Sequence, residues 1–286
     1  MKIFKQEIIK QLSARTHLSV AIHDGCFHSD DIFCVALLRR LSTECGFKLE
    51  LYRTREPQIL ANVDMRVDVG GCYSERSWDF DHHQKDDSLM QPEGIKHASI
   101  GLLSKWCMTP LFYQMFKEKY LLGLEHQDNT GKTHPKYSSI GFFVQPMLPA
   151  HKEELDINEA FEQTVEIAEI ILNRCFKVVE GLMKAEEEFP SMIEESIADG
   201  KILVLKNRVS FMPQLHPELA FTIIKVDKGY SFVGVNDHYL KPHLRGLKAE
   251  QIEQACGYTG LFTHPSGFTG TMHTLQGAKE ICVQSL

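Results

Sequence analysis

The chain has 286 residues, of which 43% are hydrophobic and 24% are charged, a composition typical of a globular protein that excludes a disordered or fibrous one. Its 31 Lys and Arg residues against 38 Asp and Glu residues give a formal net charge of −7, so any polyanionic substrate must be bound locally. Eight scattered cysteines without a Cys-x-x-Cys pair indicate reduced thiols in the cytoplasm. We expect neither a signal peptide nor a membrane-spanning segment, because charges interrupt the amino terminus and no later apolar run is long enough.

The first half of the chain alternates predicted strands with predicted helices. In chain order these are a strand at 18–23, a helix capped by Ser29, strands at 48–53, 65–69 and 78–81, and helices at 100–108 and 111–125. This alternation predicts an α/β fold with a mainly parallel sheet and helices on both faces. The default site in such a fold is the crevice at the carboxyl ends of the strands.

The second half predicts a different arrangement. A helical segment runs from 158 to about 197, broken by Gly181 and Pro190, and joins two domains. Strands at 201–205, 221–226 and 230–235 and a helix at 274–284 then predict a smaller α+β domain with an antiparallel sheet. We place the domain division at 155/156, with residues 1–155 as the catalytic domain and 156–286 as the substrate-binding domain.

Acids and histidines lie where the predicted strands of the first half end. They are His23, His28 and Asp30 after the first strand, Asp68 at the end of the third, His82 and His83 after the fourth, and Asp128 after a helical stretch. Aspartates and imidazoles brought from several strand ends into one crevice are suited to hold a pair of divalent metal ions. Asp68 lies between two valines at a buried strand end, where a carboxylate needs a metal or an arginine as its partner.

These patterns also have purely structural explanations. Asp30 and Asp31 would favour the positive end of the following helix without binding anything. Arg53 and Arg55 alternate outward on a strand, so both could contact a substrate phosphate, or one could pair with Glu56 at the surface. The sequence alone leaves these alternatives open.

Six sequence blocks, in this order along the chain, resemble the melanocyte proliferating gene family of DHH-like metal-dependent phosphoesterases. The blocks are His23-x4-His28-x-Asp30, Arg53-Thr54-Arg55, Asp68-Val69-Gly70-Gly71, Asp81-His82-His83-Gln84, Gln127-Asp128-Asn129 and Thr263 to Gly270. Each block alone is a weak signal, but six in one order are specific. The resemblance spans most of the chain and is weakest over about 155–215.

This resemblance implies a DHH-type domain followed by a substrate domain, and a metal-dependent nuclease that trims RNA from its 3′ end. We expect the dinuclear centre in the cleft between the two domains. The implied ligands are His23, His28 and Asp68 for one ion and Asp30, Asp68, His82 and Asp128 for the other. Asp68 would bridge the ions, and His83 would face the scissile phosphate as the second catalytic residue. The chain departs from the family pattern at Asp24, where an amide is common, and at Asp31, where glutamate is common.

The ligand set also predicts the metal and its chemistry. Two divalent ions can lower the pKa of a bridging water towards neutrality and offset charge on the leaving oxygen. Mixed imidazole and carboxylate ligands favour Mn²⁺, with Mg²⁺ or Co²⁺ as alternatives. Asp79 and Asp81 are candidates to orient a ligating histidine by hydrogen bonding.

Candidate substrate-binding residues also occur in the second half. They are His264, Ser266, Gly267 and Gly270 in one loop, and Arg245 in the positive stretch that also contains Lys241, His243 and Lys248. The loop could bring backbone N–H groups close to a phosphate, or it could be only a glycine-rich turn. The positive stretch could guide a nucleic-acid backbone or simply face solvent.

We therefore predict a cytoplasmic, metal-dependent phosphodiesterase that acts as a 3′–5′ exoribonuclease on single-stranded RNA, using a hydroxide activated by two metal ions. A homo-oligomer is left open, and no membrane partner is expected. One alternative is a hydrolase of short oligonucleotides or of a small phosphoanhydride such as pyrophosphate, which would suit the acidic surface better. The other is a non-catalytic binding protein that contains metal.

Overall fold

The computed structural model describes residues 2–85 and 88–286. The chain divides into two compact units, Met1–Glu180 and Gly181–Leu286. The division falls within a long helix, Ile157–Met192, and the assignment of separate catalytic and substrate-binding roles to two domains stays a prediction.

The first unit contains a five-stranded sheet and most of the helices. Its elements are α1 (Gln6–Ser13), β1 (His17–Ile22), α2 (Ser29–Cys45), β2 (Lys48–Arg53), α3 (Pro57–Leu60), β3 (Met65–Val67), β4 (Tyr73–Ser74), β5 (Asp79–Phe80), α4 (Ser99–Cys107), α5 (Pro110–Phe116), a π-helical segment (Lys117–Leu121), α6 (Leu122–Thr130), a 3₁₀ turn (Gln145–Met147) and α7 (Ile157–Met192). Helix α7 continues beyond this unit into the second one.

The strand order of this sheet is β2-β1-β3-β5-β4. Strand β1 pairs in parallel with β2 and β3, and β3 pairs in parallel with β5, whereas β4 is antiparallel to β5. The α/β class and the mainly parallel pairing are therefore confirmed. Because parallel strands end at one edge of a sheet, the residues that follow β1, β3 and β5 lie close together.

Burial explains why the central strand forms. Leu18, Val20, Ala21 and Ile22 of β1 are fully buried, as expected for a strand covered on both faces. The neighbouring helix α2 is buried from Ser29 to Leu38. The crossover from β1 to α2 is therefore anchored by core packing on both sides.

The predicted start of α2 needs a small correction. His28, not Ser29, is the cap residue, with extended backbone at φ −120°. The reason is Asp31, whose carboxylate Oδ1 accepts a hydrogen bond of 3.0 Å from the backbone N–H of His28.

The predicted helix at 111–125 is longer and less regular than expected. It runs as α5, a π-helical segment and α6 from Pro110 to Thr130. The π-helical segment inserts extra residues into the helical turns, so the 3.6-residue periodicity that locates helix ends is lost. Asp128 consequently lies on the last turns of α6 and not after the helix.

The second unit contains a six-stranded sheet with two helices. Its further elements are β6 (Ile193–Ile197), β7 (Ile202–Leu205), a 3₁₀ turn (Pro213–Leu215), β8 (Phe221–Val226), β9 (Gly229–Gly234), a 3₁₀ turn (Pro242–Leu244), α8 (Ala249–Cys256), β10 (Gly260–Thr263), β11 (Thr269–Met272) and α9 (Leu275–Val283). The order is β10-β11-β9-β8-β7-β6, and Phe221, Ile223, Phe232, Ile252 and Ile281 form part of its core.

Two predictions for this unit were wrong in part. The sheet is not wholly antiparallel, because β7 and β8 pair in parallel across a connection long enough for a crossover. The helical segment does not reach 197, because Ile193–Ile197 forms β6 and pairs with β7. Strand pairing here overrides the helical preference of the Glu-rich segment.

In the part of the chain that the structure describes, no helix is both long and apolar enough to cross a lipid bilayer.

Candidate metal centre

The turn after β1 carries the first group of candidate ligands. Gly25 adopts φ +79°, a left-handed conformation that favours glycine, and the chain then enters α2 at Ser29. His23 Nδ1 lies 3.0 Å from the carbonyl oxygen of Asp24. Donation to that carbonyl places a proton on Nδ1 and directs Nε2 towards Asp31 and Asp68. Nε2 donates to these carboxylates when the ring is protonated, and its lone pair would be free to bind a metal ion when the ring is neutral.

Asp68 follows β3 directly and has an unusual backbone conformation. Its φ is +54°, which is uncommon for a residue other than glycine, and its side chain is buried. The backbone N–H donates to the carbonyl of Phe80 at 3.2 Å, which keeps the residue next to the end of β5. Such strained positions occur preferentially at functional sites.

The two carboxylate oxygens of Asp68 face different groups of residues. Oδ2 lies 3.2 Å from His23 Nε2, which itself lies 2.9 Å from Asp31 Oδ2. Oδ1 lies 3.4 Å from His82 Nε2 and 3.6 Å from His83 Nδ1. Asp68 therefore belongs to two candidate metal-binding clusters, one on each oxygen.

A third cluster adjoins the second one. His28, Asp30 and Asp128 place ligand atoms within 4.8 Å of one another. His82 Nε2 lies 3.4 Å from Asp128 Oδ2 and 3.6 Å from Asp30 Oδ2. His28 thus groups with Asp30 and Asp128, whereas the family resemblance implies that it shares an ion with His23.

The surroundings of the Asp30 carboxylate indicate whether these residues fit a metal ion. The residue is 1% exposed, and neither of its carboxylate oxygens has a hydrogen-bond partner among the described residues. A buried carboxylate whose nearest cationic group, His82, stands 3.6 Å away and which accepts no hydrogen bond there is costly, since its lost hydration is not replaced. A cation beside Asp30 would remove that cost, so the donor set fits a divalent metal.

The close spacing of buried aspartates shifts the pKa values of the residues in the clusters. Burial lowers the pKa of His23, but its hydrogen bonds to Asp31 and Asp68 outweigh this and raise the pKa to about 10. Burial raises the pKa of Asp68, yet hydrogen bonds from His23 and His82 hold it well below its usual range. Burial and repulsion by Asp30 raise the pKa of Asp128. Without a cation, these neighbouring carboxylates therefore resist simultaneous ionisation.

His83 is oriented by Asp81. Its Nδ1 lies 2.7 Å from Asp81 Oδ1, and the same carboxylate accepts hydrogen bonds from the backbone N–H groups of His83 and Gly71. The His83 side chain is 62% exposed, so its ring reaches solvent. The hydrogen bond to Asp81 raises the pKa of His83. Asp79 instead binds Arg66 and Ser77.

Sequence reasoning missed two residues of this site. Asp31 uses both oxygens: Oδ1 caps α2, and Oδ2 lies beside His23. Asp31 lies at the start of a helix, where capping alone is sufficient to explain an aspartate, so the sequence alone did not indicate a second role. Ser99, fully buried at the start of α4, lies with its Oγ 3.1 Å from Asp68 Oδ1 and can donate to it. Nothing in the sequence near Ser99 signals that contact.

Arg53 and Arg55 both bind the turn that follows β1. Arg53 donates to the carbonyl of Gly25 at 2.6 Å, and its guanidinium carbon lies 4.2 Å from the ring centroid of Phe161. Arg55 pairs with Asp24 and not with Glu56. In these positions both arginines support the loop that carries His23, and contact with a substrate stays a prediction.

A cavity of about 310 Å³ opens beside the clusters. Three acids and three histidines line it, together with Lys96 and Asn129. A second, larger cavity of about 670 Å³ lies near Arg15, Trp78 and Trp106 and contains none of the cluster residues. The chemistry of the site, and not its size, marks the smaller cavity as the candidate centre.

The predicted substrate loop of the second unit is a turn held by hydrogen bonds between its own residues. His264 Nδ1 lies 2.8 Å from Ser266 Oγ, and the backbone N–H of Gly267 donates to the carbonyl of His264. Gly267 has φ +82°, and a Cβ there would lie 2.8 Å from Arg245 Nε. Gly270 packs so closely on Phe232 that a Cβ would lie 2.6 Å from its ring. The turn requires glycine at 267, and close packing of β11 on Phe232 requires it at 270. Binding of phosphate by this loop stays a prediction.

Comparisons with known proteins agree over nearly the whole chain. A family model named for the MYG1 exonuclease, with the description "Uncharacterised protein family (UPF0160)", matches residues 19–107 and 111–286. A MYG1 protein of Schizosaccharomyces pombe is 24% identical over 318 residues, covering 94% of this chain and 97% of that protein. The MYG1 exonuclease of Homo sapiens is 26% identical over 318 residues, covering 91% of this chain and 83% of that protein. A MYG1 protein of Chlamydia trachomatis is 44% identical over 66 residues, 23% of this chain.

Proposed function

We propose, from the premise that this chain belongs to the MYG1 exonuclease family, that it is a metal-dependent phosphodiesterase. The observation that carries the proposal is the position of Asp68, whose two oxygens face separate clusters of acids and histidines. A carboxylate in that position is suited to bridge two metal ions.

The residues that would hold the metal ions follow from the clusters. His23, Asp31 and Asp68 would bind one ion, and Asp30, Asp68, His82 and Asp128 the other, with His28 beside Asp30. When bound, a divalent pair lowers the pKa of a water molecule between the ions and offsets negative charge on the leaving oxygen. Imidazole together with carboxylate favours Mn²⁺, with Mg²⁺ or Co²⁺ as alternatives.

His83 would supply the proton for the leaving group. Asp81 fixes Nδ1 and raises the pKa of the ring, which favours the protonated form. The exposed part of the ring is then free to reach a phosphodiester in the cavity. Ser99 and Asp81 would hold Asp68 and His83 in place by hydrogen bonds.

The proposed substrate is single-stranded RNA, degraded from its 3′ end. The name of the human relative, MYG1 exonuclease, supports an exonuclease and therefore a nucleic-acid substrate. The order of the sequence blocks supports RNA and 3′ polarity through the family resemblance. In the second unit, Arg245, His264 and Ser266 would contact the nucleic-acid backbone, with Gly267 shaping the turn and Gly270 holding the adjoining strand close to Phe232.

The acidic net charge of −7 favours a second candidate, the hydrolysis of short oligonucleotides or of pyrophosphate. Purified protein with Mn²⁺ should be given a 5′-labelled single-stranded RNA, the same RNA blocked at its 3′ end, and pyrophosphate. A descending ladder from the unblocked RNA alone would support the 3′ exoribonuclease. Cleavage confined to pyrophosphate or dinucleotides would support the small-substrate candidate, and binding of Mn²⁺ without any cleavage would support a non-catalytic protein. The cytoplasmic location and the option of a homo-oligomer remain predictions.

A further inference from the structure

Lys96 lines the cavity of the candidate metal centre. It stands with Asn129 beside the three acids and three histidines that line the rest of the cavity. Among the described lining residues, it is the one side chain whose positive charge does not depend on the protonation of an imidazole. Neither the family blocks nor the predicted ligand set includes it.

The position of Lys96 is fixed by contacts on both ends of the residue. Its Nζ donates to the backbone carbonyl of Gln84, the residue that follows His83. Its own carbonyl accepts a hydrogen bond of 3.0 Å from Asn129 Nδ2, and Asn129 follows Asp128. Lys96 is therefore tied to the two segments that carry His83 and Asp128.

The ammonium group retains capacity to bind an anion. A lysine ammonium has three N–H donors, and the contact with Gln84 uses one of them. In residues 2–85 and 88–286, no carboxylate lies within ion-pair distance of Lys96, unlike Arg55 or Lys117. Among the described residues, the other two donors of this ammonium group therefore have no partner.

The charge of the centre explains why such a cation is needed. The clusters contain four aspartates, whose negative charges equal the positive charges of two divalent ions. A loaded centre would then offer an incoming phosphodiester little net attraction. The acidic surface of the whole chain adds repulsion.

We infer that Lys96 binds the phosphate group of the substrate in this cavity, and thereby supplies the local attraction that the acidic chain lacks. This inference rests on the proposed phosphodiesterase function and adds the residue that selects the anion. Lys96 would act mainly on substrate binding, because its contact with a phosphodiester is already present before the reaction.

The test compares Lys96→Gln with Lys105→Gln. Lys105 lies on the exposed side of α4, so its substitution removes the same charge from the same unit without touching the cavity. With saturating Mn²⁺, calorimetry should measure binding of adenosine 5′-monophosphate, and kinetics should use the labelled RNA. We expect Lys96→Gln to weaken nucleotide binding and to raise KM by about ten- to a hundredfold, with a smaller change in kcat. Lys105→Gln should match the wild type.

A third variant separates binding from support of the fold. Lys96→Arg keeps the charge and should recover most of the lost affinity, with thermal unfolding and Mn²⁺ stoichiometry unchanged in all variants. Equal nucleotide binding by Lys96→Gln and Lys105→Gln would overturn the inference. The inference would also be overturned if Lys96→Gln lost bound Mn²⁺ and Lys96→Arg did not restore it, because Lys96 would then support the metal site and not bind the substrate. Lys96-dependent nucleotide binding without any phosphodiester hydrolysis would contradict the proposed function and support the anion site.

Discussion

At the scale of single residues, Asp68 connects the two sides of the candidate centre. Its oxygens face His23 on one side and His82 on the other, and its left-handed backbone fixes that direction. We expect Asp68→Asn to reduce hydrolysis by at least about a hundredfold and to lower the number of bound Mn²⁺ ions. Activity assays with inductively coupled plasma spectrometry would check both, with the exposed Glu44→Gln as the control. A variant that keeps two ions and full activity would contradict the role of Asp68.

Asp81 affects the reaction through His83. Its carboxylate raises the pKa of His83 by a 2.7 Å contact at Nδ1. If protonated His83 donates to the leaving group, activity falls as pH rises through that pKa. Asp81→Asn lowers the pKa, so the alkaline decline should move to lower pH, with a loss of about ten- to a hundredfold in activity. A pH–rate profile that keeps its position would show that Asp81 does not act on His83.

The sequence reveals some residues of the site and hides others for a physical reason. Asp30, His82 and Asp68 could be found because a polar group after a buried strand is unusual and the strands end at one edge. Ser99 and Lys96 could not, because their roles depend on which distant segments they contact. Asp31 was hidden by its other role, as a helix cap is sufficient to explain an acid there.

At the scale of elements, the contact between α4 and α6 positions the centre. Glu125 of α6 is fully buried and lies 2.8 Å from His97 Nδ1, just before α4, and Gly101 of α4 packs against both side chains. A Cβ at Gly101 would overlap with the Glu125 carboxylate. Gly101→Ala should therefore destabilise the protein by more than about 2 kcal/mol and weaken Mn²⁺ binding through displacement of Asp128. Urea unfolding and metal titration would measure the two effects.

Gly181 provides the matched control for that substitution. It lies inside α7, where a Cβ would meet no atom within 4 Å. Gly181→Ala should stabilise the protein by about 0.5–1 kcal/mol, because alanine is the better helix former. Equal effects of the two substitutions would contradict the tight packing at Gly101.

The carboxylate of Asp64, which contacts Arg15 before β1 and Ser19 in β1, should make the stability of the fold depend on pH. Burial alone would raise the pKa of Asp64, but hydrogen bonds from Ser19 and Arg15 lower it to about 2. The ionised folded state is therefore favoured above the unfolded pKa of 3.8, and this contribution is lost as pH falls towards 2. Asp64→Asn should cost about 1–2 kcal/mol at pH 7. The difference from wild type in urea unfolding should shrink between pH 4 and pH 2, and a constant difference would contradict it.

The sequence also predicted whole elements unevenly. Strands β1 and β2 were found because their burial and alternation are local properties of the chain. Strand β6 was missed because its partner β7 decides its conformation, and the parallel pairing of β7 with β8 depends on how the connection crosses over. Local patterns do not contain that information.

At the scale of the whole molecule, metal binding should stabilise the fold. The apo clusters keep four aspartates close together, with Asp30 lacking hydrogen bonds from the described residues. Mn²⁺ at a hundred times its Kd should raise the free energy of unfolding by about 2.7 kcal/mol per site. Thermal unfolding with Mn²⁺ and with EDTA would show this as a higher Tm that Asp68→Asn reduces. An unchanged Tm in wild-type protein would contradict metal binding by the native state.

The most direct test of the dinuclear centre is anomalous scattering from a crystal of the Mn²⁺-loaded protein, measured at the manganese edge. The account predicts two peaks on opposite sides of the Asp68 carboxylate, one near His23 and Asp31 and the other near His82 and Asp128. A single peak, or peaks that do not touch Asp68, would contradict it.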